Sequence, residues 1–155
     1  DDSNARWVYR EAQKIDEWSG EDYEGTSVIA GAKVMQSEGH IAEYRWAFGL
    51  DDLIMAVGRI GPAVLGINWY DSMYEPDSKN YIRPVGDVVG GHAILCNSVS
   101  IKHRRFGVHN SWGPSWGKNG RGWITFEDMD HLLHEQGEAC IPLVRKVPAP
   151  KGEHQ

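Results

Sequence analysis

His92 is the residue of this chain whose neighbours best suit it to transfer a proton. It lies in residues 90–95 (GGHAIL), where two glycines allow close approach of the backbone and an apolar run follows. An imidazole has a pKa near neutrality, so it can take a proton from a nucleophile and return it to a leaving group, as acyl transfer requires. On its position alone, however, a histidine that only satisfies a local hydrogen bond is the commoner outcome.

Asn110 begins a second segment that bears on the histidine. It opens residues 110–117 (NSWGPSWG), which follow an alternating stretch and precede residues 118–123 (KNGRGW). An amide can accept a hydrogen bond from an imidazole N–H and orient the ring without adding charge, and an indole such as Trp112 over that bond can exclude water. The alternative is a turn rich in Trp and Gly that packs on a core.

Taken in order, these segments resemble the papain-like cysteine peptidases. The C-terminal half of that family carries Gly-Pro-Val, a histidine strand, Asn-Ser-Trp-Gly, Trp-Gly, Asn-Gly and a final aromatic strand. Here the matching segments are residues 61–64 (GPAV), 91–93 (GHA), 110–113 (NSWG) and 116–120 (WGKNG). The resemblance covers about residues 61–126 with high specificity and extends weakly into the helical patterns before them.

The resemblance implies catalytic roles for two residues and a supporting role for a third. His92 corresponds to the general base and acid, Asn110 to its orienting partner, and Trp112 to the indole that shields their hydrogen bond. The implied activity is hydrolysis of peptide bonds through a thioester acyl-enzyme, without a cofactor.

The resemblance also implies a substrate cleft. Gly91 and Ala93, on either side of the histidine, correspond to positions that line the cleft, and Gly66 to a position that borders the pocket for the substrate side chain. Small residues at these places predict an open pocket. The implied partner is a peptide or protein substrate.

The expected nucleophile is missing from this pattern. No cysteine precedes residue 61, and Gln13 lacks the glycines that accompany the oxyanion glutamine of the family. Cys96 follows His92 by four residues, which puts the two about 13 Å apart along a strand and beyond hydrogen-bond reach. Cys140 is better interpreted as a packed thiol. Two buried free thiols are favoured over a bridge between them.

These observations leave two main hypotheses for function. In the first, the chain is part of a papain-like peptidase whose nucleophile lies on an upstream fragment, and the lack of an initiator Met favours a processed or fragmentary product. In the second, it is a non-catalytic papain-like module that keeps the cleft for binding and has lost the thiol. A third, weaker hypothesis is another acyl-transfer activity on the same fold, such as amide hydrolysis or ligation.

A metal site is the other chemistry to weigh. His131, His134 and Glu135 form a His-x-x-His-Glu cluster, and histidines three residues apart share one face of a helix. The spacing differs from the His-Glu-x-x-His of metallopeptidases, so a solvated helix face is favoured and no metal is predicted. His103 and His109 have no evident partners.

The composition narrows the possible partners. The 155 residues are 41% hydrophobic and 25% charged with a net charge of −6, which indicates a globular chain and no basic surface for nucleic acid. No apolar run reaches 18 residues and the start lacks the pattern of a signal peptide, so no membrane partner is predicted. The two cysteines leave the compartment open.

The sequence patterns predict the helices and strands that must position these residues. Together they indicate an α+β fold, with helices in the N-terminal part followed by an antiparallel β-sheet or barrel-like part. The helices are predicted at residues 6–18, 28–37, 53–60 and 127–135. The strands are predicted at residues 41–48, 63–69, 90–99, 105–110 and 122–126. Residues 71–88 are predicted to form a surface loop. One domain, incomplete at its N-terminus, is predicted over residues 1–147, with a flexible tail at 148–155.

Overall fold

The computed structural model describes residues 2–18 and 25–144, and within them the predicted α+β class is confirmed. The helices are α1 (Asp2–Gln13), α2 (Val28–Ser37), α3 (Leu50–Arg59) and α4 (Phe126–His134). The strands are β1 (Glu43–Trp46), β2 (Ala63–Tyr70), β3 (Val88–Ser100), β4 (Arg105–His109), β5 (Arg121–Thr125) and β6 (Glu138–Leu143). A short 3₁₀ helix, Asp71–Tyr74, opens the loop after β2.

The first two helices differ in how well the sequence predicted them. Helix α2 has the predicted bounds, and Ser27 caps it by accepting a hydrogen bond from the backbone N–H of Ala30 at 3.3 Å. Helix α1 ends at Gln13, earlier than predicted. The Asp16 carboxylate accepts the backbone N–H of Trp18 at 3.1 Å, a local bond that competes with continuation of the helix.

All six strands form one antiparallel sheet in the order β1-β6-β2-β3-β4-β5. The sequence did not predict β6, which pairs with both β1 and β2. The described sheet is open rather than barrel-like, because β1 and β5 lie at its two edges and do not pair with each other. Closure would require that pairing, with the strand stagger that accompanies it.

The sheet brings the two candidate catalytic residues together. The sequence predicted a strand beginning at Gly90, but β3 begins at Val88, so His92 is its fifth residue and lies opposite Ile67 of β2. Asn110 directly follows β4, the strand on the other side of β3. The two strands are neighbours, so a separation of 18 residues in sequence becomes a contact in space.

The main hydrophobic core lies against this part of the sheet. Its fully buried members include Leu65 of β2, Phe106 of β4, Ile124 of β5 and Met129 of α4. Burial alternates along β2 from Ala63 to Trp69, so one face of the strand packs into the core. The core therefore fixes the strands that carry the candidate site.

Two sequence predictions fall partly or wholly outside the described residues. The domain boundary at residue 147 and the tail at residues 148–155 both lie beyond residue 144. Within the described ranges, no helix is long and apolar enough to cross a membrane.

Candidate active site

The candidate site is built around a hydrogen bond between His92 and Asn110. Nε2 of His92 lies 3.0 Å from Oδ1 of Asn110. Asn110 is itself buried, and its backbone N–H donates to the carbonyl of Gly120 at 2.9 Å. The backbone hydrogen bond therefore fixes the position of Asn110, while its side-chain oxygen orients the imidazole ring.

The neighbours of Asn110 determine which imidazole nitrogen carries the hydrogen. Oδ1 of Asn110 also accepts the backbone N–H of Ser111 at 2.8 Å, and a backbone N–H can only donate. The amide oxygen therefore faces His92, and Nε2 must donate to it. In the neutral imidazole the free lone pair is then on Nδ1, which is the nitrogen available to accept a proton.

Burial of the imidazole favours its neutral form. Burial lowers the pKa of His92 from its usual value of 6.5, while the hydrogen bond from the ring to Asn110 acts in the opposite direction and is the smaller effect. At neutral pH the ring is therefore a base with an empty proton site.

Aromatic rings surround the imidazole. The ring centroid of Trp69 lies 4.5 Å from that of His92 and the centroid of Trp112 lies 4.8 Å from it. Tyr74 stacks on Trp112 with centroids 5.4 Å apart and an interplanar angle of 15°. The sequence analysis assigned a role to Trp112 but missed Trp69 and Tyr74. Both precede β3, and only the register of β2 against β3 brings Trp69 to the histidine.

The segment that carries Trp112 is a chain of tight turns. Gly113, Gly117 and Gly120 have φ angles of +89°, +54° and +77°, in the left-handed region that favours glycine. A Cβ on Gly117 would collide with the carbonyl of Arg121. The glycines that the sequence singled out are thus required by the backbone, which returns toward β5.

A cleft with a volume of about 550 Å³ opens beside His92. The predicted substrate-binding residues Gly66, Gly91 and Ala93 all line it together with the histidine. The facing wall includes residues 25–28, which lead into α2. The sheet therefore brings the four predicted residues to one cleft, and the helical part of the chain closes its other side.

The three small residues have different roles in the shape of the cleft. A Cβ on Gly66 would lie 2.9 Å from Cγ2 of Val28, so glycine is needed there for the two walls to pack. A Cβ on Gly91 would meet no atom within 4 Å. The open pocket predicted from small residues is therefore found at Gly91, whereas at Gly66 the space is already filled.

The arrangement of helices and sheet is found in cysteine proteases of known structure. No family model and no curated protein sequence matches the chain. Xylellain, a cysteine protease from Xylella fastidiosa, superposes on 90% of this chain and 69% of its own with a TM-score of 0.70 and 21% identity. The chain has a papain-like fold. The procathepsin L2 proteinase of the Tenebrio molitor larval midgut superposes on 67% of this chain at a TM-score of 0.50 and 22% identity.

This fold confirms, at the level of structure, the resemblance to papain-like cysteine peptidases that was inferred from residues 61–126. The chain spans about two thirds of xylellain, at 69%, but only 34% of the procathepsin chain.

Neither cysteine of this papain-like chain lines the cleft. Cys96 is fully buried in the core beneath the sheet, and burial raises the pKa of its thiol to about 12. Cys140 is buried on β6, where burial and the nearby charge of Glu138 raise its pKa to about 11. Both are free, which confirms the prediction of two buried thiols. A thiol with so high a pKa holds its proton at neutral pH and is a poor nucleophile.

The histidine cluster of α4 makes contacts within its own helix. Nε2 of His131 lies 3.4 Å from Glu135, and Nδ1 of His134 lies 2.8 Å from the carbonyl of Asp130. The Glu135 carboxylate also accepts the hydroxyl of Tyr70 at 2.7 Å, which raises the pKa of that hydroxyl. Across residues 2–18 and 25–144, no group of three or more His, Cys, Asp or Glu side chains is arranged to hold a metal ion.

Proposed function

We propose that this chain supplies the histidine and asparagine of a papain-like cysteine peptidase, and that the attacking thiol comes from a segment outside residues 1–155. The observation that supports this most directly is the 3.0 Å hydrogen bond between His92 and Asn110 at the edge of a cleft. A base with an oriented ring, a free Nδ1 and a lowered pKa is what proton transfer from a thiol requires.

The reaction would proceed by acyl transfer. Nδ1 of His92 takes the thiol proton, and the thiolate attacks the carbonyl carbon of the peptide bond. The C–N bond breaks as the imidazolium returns that proton to the amine, which leaves a thioester. A water molecule, deprotonated by the same nitrogen, then hydrolyses the thioester and releases the acid and the thiol.

Asn110 and the aromatic rings would act through the histidine. The amide oxygen accepts from Nε2–H throughout the cycle and stabilises the imidazolium without a competing negative charge. The rings of Trp69 and Trp112 lie against the imidazole and keep water from its bond with Asn110. These are positioning roles, since neither ring would touch the scissile bond.

The second candidate is a papain-like module that binds peptides without cleaving them. One observation favours it, namely that neither Cys96 nor Cys140 lines the cleft. The cleft itself would serve binding equally well. The two candidates differ in whether the complete protein brings a thiol to Nδ1 of His92.

The test is a peptidase assay of the complete protein in which this chain occurs, with a library of fluorogenic peptides. We expect hydrolysis that is blocked by a thiol-alkylating reagent. His92→Ala should lower kcat/KM by at least about 10³-fold, within the range that general acid–base catalysis contributes. The matched control is His103→Ala, which removes an exposed histidine in the turn between β3 and β4 and should leave kcat/KM unchanged.

Two results would contradict the proposal. Hydrolysis by the isolated 155-residue chain that disappears in Cys96→Ala would place the nucleophile on β3. A complete protein that binds peptides at the cleft but cleaves none of them would favour the binding module.

A further inference from the structure

The sheet has an open edge at β1, far along the strand order from the candidate site. Strand β1 (Glu43–Trp46) pairs with β6, and no other strand within residues 2–18 and 25–144 pairs with it. An unpaired strand presents a row of backbone N–H and C=O groups to which another strand can bond. The side chains of Glu43 and Arg45 are 51% and 65% exposed, so the fold covers neither charge.

The pairing with β6 determines which backbone groups of β1 face outward. Ala47, directly after the strand, donates its N–H to β6 at 3.0 Å. Backbone groups of successive residues point to opposite sides of a strand, so those of Arg45 also face β6, whereas those of Tyr44 and Trp46 face outward. Pro142 of β6 agrees with this assignment, because it lies opposite Tyr44 and has no N–H to donate. A further strand would therefore bond to Tyr44 and Trp46.

The charges of β1 are complementary to those of a second β1 strand. Two copies related by a twofold axis pair antiparallel, so that each contact occurs twice. If Tyr44 lies on the axis, Glu43 of each copy is directly opposite Arg45 of the other. Because only alternate residues bond outward, the register can shift only in steps of two residues. Such a shift in one direction places Glu43 opposite Glu43, and in the other direction Arg45 opposite Arg45.

This register is therefore favoured over its neighbours. Opposite charges directly across two strands stabilise the pair, and like charges destabilise it. Within one chain the carboxylate of Glu43 and the guanidinium of Arg45 already lie 2.9 Å apart on the same face of β1. Residues opposite each other between the hydrogen-bonded positions also bring their side chains closest together. In the paired strands the four charges would form one alternating network.

The other face of β1 is aromatic and also matches itself. The rings of Tyr44 and Trp46 make an edge contact, with centroids 6.2 Å apart and an interplanar angle of 83°. With Tyr44 on the axis, the two tyrosines lie opposite each other and exchange backbone hydrogen bonds, and a tryptophan follows at each end. Aromatic pairs across strands contribute to sheet stability. The backbone and both faces of β1 thus fit a second copy in a single register.

We propose that the outer edge of β1 is an interaction surface for a second copy of this chain, which pairs antiparallel with Tyr44 on the twofold axis and joins the two sheets into one. No residue of β1 lines the cleft beside His92, so each copy keeps its cleft open. The dimer is independent of whether the protein cleaves peptides. The paired segment is short, so the dimer is reversible and its fraction rises with protein concentration.

The first experiment measures self-association of the 155-residue chain by sedimentation equilibrium over a range of concentrations at low ionic strength. We expect an equilibrium between monomer and dimer that weakens at high salt, since salt screens exposed charges. Hydrogen exchange locates the contact. The amides of Tyr44 and Trp46 should exchange more slowly as the protein concentration rises, whereas that of Arg45, which faces β6, should not change.

Charge variants test the register. Glu43→Arg and Arg45→Glu each place like charges opposite each other, and each should weaken self-association by at least about tenfold. Carrying both substitutions in one chain restores opposite charges, so association should return to within about twofold of the original. A mixture of the two single variants should form a heterodimer, because one strand is then basic and the other acidic. The matched control is Glu75→Arg, an exposed change of equal charge after the 3₁₀ helix, which should keep the dimer.

Three results would overturn the proposal. The first is a chain that stays monomeric up to about 1 mM, the weak end of the affinity scale. The second is a dimer that persists unchanged in both single variants, which would assign the association to another surface. The third is a doubly substituted chain that stays monomeric, which would show that the two charges do not set the register. Because both side chains are exposed, none of these variants should impair folding.

Discussion

The two walls of the cleft rest on cores of very different size. The wall that carries His92 belongs to β2 and β3, whose inner side chains join the main core with Leu65, Phe106 and Ile124. The facing wall leads into α2, which packs with α1 around Ala12, Ala30 and Val34, and Val8 lies against them. The second cluster is small, and α1 leaves Trp7 and Tyr9 about 42% exposed.

This difference in core size corresponds to different requirements of the two walls. The His92–Asn110 hydrogen bond needs a fixed distance, and a large close-packed core resists the small displacements that would break it. In the proposed function the helical wall would only have to cover a substrate, and a small core would suffice for that. Local stability in proteins follows buried apolar contact, so we expect the helical wall to open first.

The largest expected effect is in the main core. Phe106→Ala removes a fully buried ring that packs 5.1 Å from the ring of Phe126, and it should lower the free energy of unfolding by about 3–5 kcal/mol. Phe48→Ala is the control, because Phe48 is 84% exposed and its loss should cost less than about 0.5 kcal/mol. Urea denaturation of both variants measures the difference, and similar losses would contradict this view of the core.

A smaller effect is expected in the helical cluster. Val34→Ala removes part of the buried contact between α1 and α2 and should cost about 1–2 kcal/mol. Hydrogen exchange should show faster exchange of the amides of α1 and α2, with those of β3 and β4 unchanged. Equal acceleration in both parts would mean that the two walls unfold as one unit.

The helix caps provide a matched pair of changes, one in each region. The hydroxyl of Ser27 caps α2, and the hydroxyl of Thr125 caps α4 by accepting from Asp128 at 3.1 Å. Replacing either by Ala should cost about 1 kcal/mol. Only Ser27→Ala should accelerate exchange of the α2 amides without changing those of the sheet, whereas the reverse pattern would contradict the division.

The smallest effect concerns the charge of His92. Its pKa, followed by NMR, should lie below 6.5 because the ring is buried, and Asn110→Ala should lower it further because the hydrogen bond to Asn110 raises it. The unfolded chain then binds more protons than the folded one between these pKa values. Stability therefore falls as the pH drops from 6.5 toward the folded pKa. A pKa above 6.5 would contradict the burial of the ring.

Much of the fold followed from sequence patterns. The periodicity of residues 28–37 predicted α2 without error, because Ser27 and Gly39 mark its two ends. The strand β6 was missed, since residues 138–143 include a proline and show little alternation, and the strand depends on pairing with β1 and β2. Strand β1 was predicted too long, because its paired register with β6 covers Glu43–Trp46, although the backbone N–H groups of Ala42 and Ala47 on its flanks still donate to Leu143 and Ala139 of β6.

For the candidate site, too, some features could be predicted from the sequence and others depended on the tertiary structure. The sequence by itself determined the side chains available for chemistry, since imidazole, amide and indole groups at residues 92, 110 and 112 and the glycines between them are local properties of the chain. Tertiary structure alone decided that Trp69 would lie against the imidazole and that Glu138 would face the cleft. Both depend on register between strands distant in sequence, where a slip of one residue would move every side chain to the other face.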